Sequence, residues 1–200
     1  MFHVKHEGSV PKDLIGSLTS SREALLHRYA ALLREVAVPR KMIAASDSGR
    51  IWTRHVLDSL RGAALIPARA TVVYDLGSGA GVPGVPVAIA RPDLRLTLAE
   101  PRRERVAFLE LVIEELGLAE ARVHAGRAQQ LAQGADVCLA RAFRDPEASW
   151  RVAEPLLAPS GALFYWAGKS ADVHLRGVRT RAFRTPSLAQ AGPIVMMTRQ

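Results

Sequence analysis

The stretch "YDLGSGAGVPGVP", residues 74–86, decides the fold. It completes an apolar, β-branched run, "TVVYDLG" (71–77), and packs four glycines and two prolines into the turn that leads through the short apolar segment "VPVAIA" (85–90). A buried strand, a glycine turn and an apolar helix make the first β-loop-α unit of an α/β sheet. Two glycine rules overlap in the turn. Counted from Gly79, the spacing Gly79-x-Gly81-x-x-Gly84 is the dinucleotide fingerprint. Counted from Asp75, Asp-x-Gly-x-Gly-x-Gly is the loop that holds S-adenosylmethionine (SAM) in Rossmann-like methyltransferases.

Both rules need glycine because the chain turns sharply and its backbone comes too close to the ligand for a Cβ. The residues around the glycines separate them. A dinucleotide seats its pyrophosphate on free N–H groups at the start of the following helix. Asp75 would repel that anion, and Pro83 and Pro86 have no N–H to offer. SAM carries no phosphate; its sulfonium is positive and its amino-acid end is zwitterionic, so Asp75 suits its ammonium. Glu100 ends the next strand, nineteen residues after Gly81, and suits a ribose hydroxyl pair in either ligand. The residues favour SAM, with a dinucleotide or a ligand-free structural turn as the alternatives. "AGKS" (167–170) imitates the end of a P-loop, but Leu163 stands where that motif requires glycine.

Periodicity extends the pattern outward. Leu25, Leu26, Tyr29, Leu32, Leu33 and Val36 predict an amphipathic helix over 21–37. Ile51, Trp52, Val56, Leu57 and Leu60 predict a second over 50–65. Beyond the glycine loop, strands at 94–100, 121–126, 134–143 and 162–168 alternate with helices at 102–118 and 145–161. The first of these helices stops at Gly117 and the second at Pro159 and Gly161. Two tail strands, 177–183 and 193–199, have no clear helix between them and suit an antiparallel hairpin. The expected fold is α/β, a mostly parallel doubly wound sheet. A helical N-terminal cap (1–66) and a SAM-binding unit (67–200) would form one compact body.

Composition narrows the functional classes. The longest apolar run, near 82–90, is far short of the ~20 residues that span a bilayer. "MFHVKHEG" (1–8) lacks the apolar core of a secretion signal. The single cysteine, Cys138, fits a reducing cytoplasm. The six histidines and the single cysteine make no zinc-binding pattern, so no metal is expected. The net charge is +8, and its excess lies in the flanks: 61–140 holds nine basic and nine acidic residues, whereas 141–200 holds nine and four. Such a balance puts nucleic acid first among partners, with an arginine-rich composition of no functional meaning as the alternative.

Four further stretches carry a resemblance. "RHVLDSL" (54–60), "DLGSGAGVPGVPVAIARPDL" (75–94), "RVAFLE" (105–110) followed by "ELGL" (115–118), and "ARAF" (140–143) together resemble the RsmG (GidB) family. That resemblance implies a Rossmann-like class I methyltransferase that uses SAM to methylate guanosine N7 in small-subunit (16S) ribosomal RNA. It places Gly77 and Val82 against SAM, Ala128 and Gln129 beside the adenine, and Arg141 at the cleft between cofactor and substrate. Asp75, Gly79 and Glu100 join them from the loop reading. The chain departs from the family at "MIAASD" (42–47), at Glu104 and at "WAGKS" (166–170), positions that bear on RNA grip rather than on SAM.

Guanine N7 presents a lone pair at neutral pH, so no general base is assigned. Arg54 and Asp58 sit four apart on one helix face, as do His55 and Ser59. They read either as a surface ion pair beside a half-buried histidine or as a cleft face that presents Arg54 and His55 to RNA. Arg102, Arg103 and Arg105 at a helix start oppose its dipole, which suits an anionic partner or a solvated face. Phe143 suits either a base stack or the core. The protein is expected to be monomeric. A SAM-dependent methyltransferase of another substrate and a non-catalytic SAM- and RNA-binding protein are the alternative functions.

Overall fold

The computed structural model describes residue 10, residues 18–168 and residues 173–200. Helix α1 (Ser20–Leu32) begins at Thr19, whose hydroxyl accepts the Arg22 N–H, and it buries Leu26, Tyr29, Ala30 and Leu32. It runs on through a π-helical turn, Leu33–Ala37. The chain then leaves at Lys41, whose φ is 56°, with the Met42 N–H returning to the Ala37 carbonyl. The expected second helix is compound: a 3₁₀ segment Ala45–Arg50, a π segment Ile51–Leu57, and α2 (Asp58–Leu65). His27 stacks on Trp52 at 4.3 Å and locks the two helical runs together.

The alternation that follows gives β1 (Val72–Leu76), α3 (Gly84–Ala90), β2 (Arg95–Ala99), α4 (Arg103–Leu116), β3 (Ala121–His124), β4 (Ala135–Arg141), α5 (Pro146–Ala153), β5 (Leu157–Trp166), β6 (Val178–Phe183) and β7 (Ile194–Arg199). The strands form one sheet in the order β3-β2-β1-β4-β5-β7-β6. The first five are parallel, and β7 is antiparallel to both β5 and β6. This is the mostly parallel sheet with a closing hairpin that the sequence predicts.

One element differs. Helix α5 ends at Ala153, a 3₁₀ turn covers Glu154–Leu156, and β5 already starts at Leu157. Pro159 and Gly161 therefore interrupt a strand instead of stopping a helix. Between Ala135↔Leu157 and Val137↔Ala162 the register shifts, so the segment containing both residues bulges out of the ladder. A Cβ on Gly161 would stand 2.7 Å from the Ala135 carbonyl oxygen. The neighbouring strand dictates that glycine.

Each sheet face has its own core. Residues of α1, α2, α3 and α4, including Leu26, Leu60, Ile89 and Leu109, cluster against Val73, Leu96 and Leu139. Trp150 and Val152 of α5 pack with Tyr74, Cys138 and Leu163 on the other face. Among the described residues no helix is long and apolar enough to cross a membrane.

Candidate active site

Parallel strands deliver their carboxyl ends to one edge, and the loops there build the site. Past β1, Gly77 takes φ 70°, and the Phe143 ring lies 2.5 Å from where its Cβ would be. Gly84 answers a different need. A Cβ there would fall 2.4 Å from Leu98 Cδ2 and 2.6 Å from Asp75 Oδ2, so only glycine lets α3 start this close to β1 and β2.

The N–H groups that open α3 are already used. Gly84 donates to Asp75 Oδ2 at 3.2 Å, Val85 donates to the Gly81 carbonyl at 2.8 Å, and Pro86 has none. A pyrophosphate would find no free donor among the residues that open α3, which counts against the dinucleotide alternative. Asp75 thus caps α3 with one oxygen. Its other oxygen, Oδ1, is buried without a partner among the described residues. Burial drives its carboxyl up to about 7, against the opposing pull of the Ser78 hydroxyl and the Gly84 N–H.

Glu100 faces the loop from the end of β2. Its Oε2 accepts the Gly79 N–H and its Oε1 the Arg102 N–H, both at 3.0 Å, with Arg105 at 3.8 Å. A carboxylate offers about four acceptor positions, so room for a ribose remains. Val82 is half-buried against the core and donates its N–H to the Ser78 carbonyl. Ala128, buried, and Gln129, exposed, open a 3₁₀ turn (Ala128–Gln130) beyond β3. The first N–H groups of such a turn have no partner within it, as backbone recognition of a base requires.

Arg141 ends β4 and reaches under the N-terminal helices. Its Nη2 donates to the Arg54 carbonyl at 2.6 Å and lies 3.3 Å from Asp58 Oδ2, while Nη1 is buried and unpartnered among the described residues. Burial lowers its affinity for a proton, and the Asp58 charge acts to raise it. Asp58 also holds Arg61 at 2.6 Å, and its carbonyl accepts the Trp166 indole N–H at 2.9 Å. The Arg54–Asp58 pairing suggested by their spacing is not formed. The buried Arg141 takes Asp58, and Arg54 turns to Asp47 at 3.2 Å. His55 lies 3.4 Å from the same carboxylate, but burial and the Arg141 charge depress it to about 4. It is neutral at pH 7 and offers RNA no cation.

Two contacts had no signal in the sequence. Tyr29, fully buried in α1, donates its hydroxyl to the Ala80 carbonyl inside the glycine loop at 2.8 Å. Asp58 meets Arg141 across a long sequence separation. Phe143 is half-buried against the core and covers Gly77, combining the two expectations for it without deciding between them. Lys169 and Ser170 of "WAGKS" lie outside the described residues. Among those described, no group of His, Cys, Asp and Glu is placed to hold a metal.

The family model described as GidB, rRNA small subunit methyltransferase G, matches residues 22–188. The chain belongs to the GidB family. The ribosomal RNA small subunit methyltransferase G of Thermobifida fusca is 39% identical over 186 residues, a span of 92% of this chain and 78% of that protein. Two solved structures share the fold. A putative caffeoyl-CoA O-methyltransferase from Staphylococcus aureus has TM-score 0.60 at 14% identity, covering 91% of this chain and 100% of that one. A glutamate-to-glutamine mutant of MtNAS, in complex with S-adenosylmethionine, has TM-score 0.59 at 16% identity, covering 88% and 73%. As a GidB methyltransferase the chain uses SAM as its methyl donor. The residues present fit that group: glycines clear the loop, α3 offers no phosphate site, and buried polar atoms of both signs stand unpartnered at Asp75 and Arg141.

Proposed function

We propose that the chain methylates N7 of a guanosine in small-subunit (16S) ribosomal RNA, acting as a monomer, with SAM held by the residues at the carboxyl edge of the sheet. The observation that carries the cofactor assignment is the pair of buried orphans. Asp75 Oδ1 and Arg141 Nη1 suit the ammonium and the carboxylate of SAM's amino-acid end. Gly77, Gly79 and Val82 form the wall, Glu100 takes the ribose, and the N–H groups of Ala128 and Gln129 read the adenine.

Bound SAM supplies an electrophilic methyl group. Guanine N7 is unprotonated at neutral pH, so no residue has to remove a proton before transfer, and the site has no need of a general base. The work of the chain is orientation, which alone is worth up to roughly 7–11 kcal/mol of barrier in well-aligned systems. Asp58, Arg54 and Trp166 hold Arg141 and the N-terminal helices in fixed relation to the cleft. Phe143 covers Gly77 beside it.

The test is transfer of labelled methyl from SAM to small-subunit rRNA and to assembled subunits, followed by chemical cleavage at 7-methylguanosine. Label at a guanine N7 is the expected outcome, and Arg141→Ala is expected to abolish transfer in a protein that still unfolds cooperatively. Label on another atom removes the N7 assignment, and full activity in Arg141→Ala removes the cleft assignment.

A further inference from the structure

A groove of about 560 Å³ runs between the end of the first helical run and α4, and a second of about 240 Å³ adjoins it. Arg40 and Lys41 form one wall of both, and Arg102, Arg103 and Arg105 line the other side of the smaller one, with Glu104 as the single acid. Arg40, Lys41, Arg102 and Arg103 are exposed, and among the described residues none of the four has a carboxylate partner. Some other surface arginines are paired, as Arg28 is with Glu115 and Arg91 with Asp93. The groove is therefore a positive strip with Glu104 as its single acid.

Its position is as informative as its charge. Arg105 lines the smaller groove, and its Nη1 lies 3.6 Å from where a Cβ on Gly79 would stand and 3.8 Å from Glu100. The strip thus starts at the cofactor loop and leads outward. In the larger groove, edged by Arg40 and Lys41, the floor is apolar, formed by Phe108 and by Leu111, which is 40% exposed. An apolar floor with a cationic rim matches a chain of nucleotides, with sugars and bases below and phosphates above.

The backbone points the same way. Lys41 occupies the left-handed position of a helix-ending turn, with its N–H returning to Val38 and that of Met42 to Ala37. Glycine is the ordinary residue there. A lysine stands there at a conformational cost, and its side chain edges the groove.

We propose that this groove binds the phosphate backbone of the substrate RNA beside the target nucleotide; the proposal rests on the rRNA reading above. The affinity of a small-subunit rRNA transcript is measured between 50 and 300 mM salt for the wild type, for the triple variant Arg40→Gln/Lys41→Gln/Arg103→Gln, and for Arg69→Gln/Arg95→Gln at the opposite edge of the sheet. Each lost phosphate contact on a single strand removes about 0.7 from the log–log salt slope, so the triple variant is expected to lose about 2. The edge variant keeps its slope. The triple variant should also raise KM for RNA while the Kd for SAM stays unchanged. Lys41→Gly tests the point without loss of fold: its Tm should match or exceed that of the wild type while RNA affinity falls.

An unchanged slope and KM in the triple variant would overturn the groove assignment. So would a loss of transfer confined to assembled subunits with naked-RNA binding intact, since that would mark an acidic protein as the occupant. A wild-type protein that methylates no rRNA refutes the function proposed above, a result separate from either of these.

Discussion

An aspartate in an unfolded chain titrates near ~3.9, whereas that of Asp75 is pushed up to about 7 by burial, with Glu100 adding to the effect. The folded state therefore holds an extra proton between about pH 4 and pH 7. Stability from this group is greatest at the acid end of that window, declines as pH rises through it, and is level above it. In the proposed site the ammonium of SAM faces Asp75 and favours the opposite form, the carboxylate. Below pH 7 binding must expel a proton, so the Kd for SAM is expected to weaken toward tenfold per pH unit of acidification. Calorimetry from pH 6 to 8 should show SAM affinity rising with pH in the wild type. In Asp75→Asn it should be weaker at pH 8 and flat across the range. A wild-type Kd that does not vary with pH would separate Asp75 from the ammonium.

What the sequence makes legible at the scale of elements is what is decided locally. The β1–loop–α3 unit announces itself because the acid, the glycines and the prolines that shape it are neighbours, and the tail hairpin because no helix intervenes. The bulge in β5 was hidden because its cause, the Ala135 carbonyl, belongs to another strand. The Asp58–Arg141 contact was hidden for the same reason, and helical spacing suggested Arg54 in its place. Gly62 is a further case. In sequence it is only a weak helix residue, yet a Cβ there would stand 2.4 Å from the Trp166 ring, whose indole N–H is tied to Asp58. Replacing a helix glycine by alanine ordinarily gains roughly 1 kcal/mol. Overpacking costs about 1–3 kcal/mol, and a tethered indole cannot swing clear. The clash wins, so Gly62→Ala should lose about 1 kcal/mol, or about 2–4 °C in Tm for a chain of this size. A rise in Tm would mean that the indole yields.

At the scale of the molecule, the helical segment before residue 67 and the sheet that follows share one core. Leu26, Tyr29, Leu33, Ile51, Trp52 and Leu60 are buried in the same cluster as Ile89, Leu96 and Leu109. Full burial of each large apolar side chain is worth about 1.5–3 kcal/mol. Even a few of these contacts rival the 5–15 kcal/mol, roughly, that stabilises a typical domain. The segment also reaches the candidate site, because Tyr29 holds the Ala80 carbonyl inside the glycine loop and Asp58 holds Arg141. We therefore predict that a chain of residues 67–200 alone shows no cooperative thermal unfolding and no measurable SAM affinity. A milder variant separates folding from loop support: Tyr29→Phe keeps the ring and leaves the Ala80 carbonyl without its donor. It should unfold cooperatively at a slightly lower temperature, with SAM affinity reduced severalfold. Cooperative unfolding and SAM binding by residues 67–200 would show that the sheet stands on its own and that the helices serve the substrate alone.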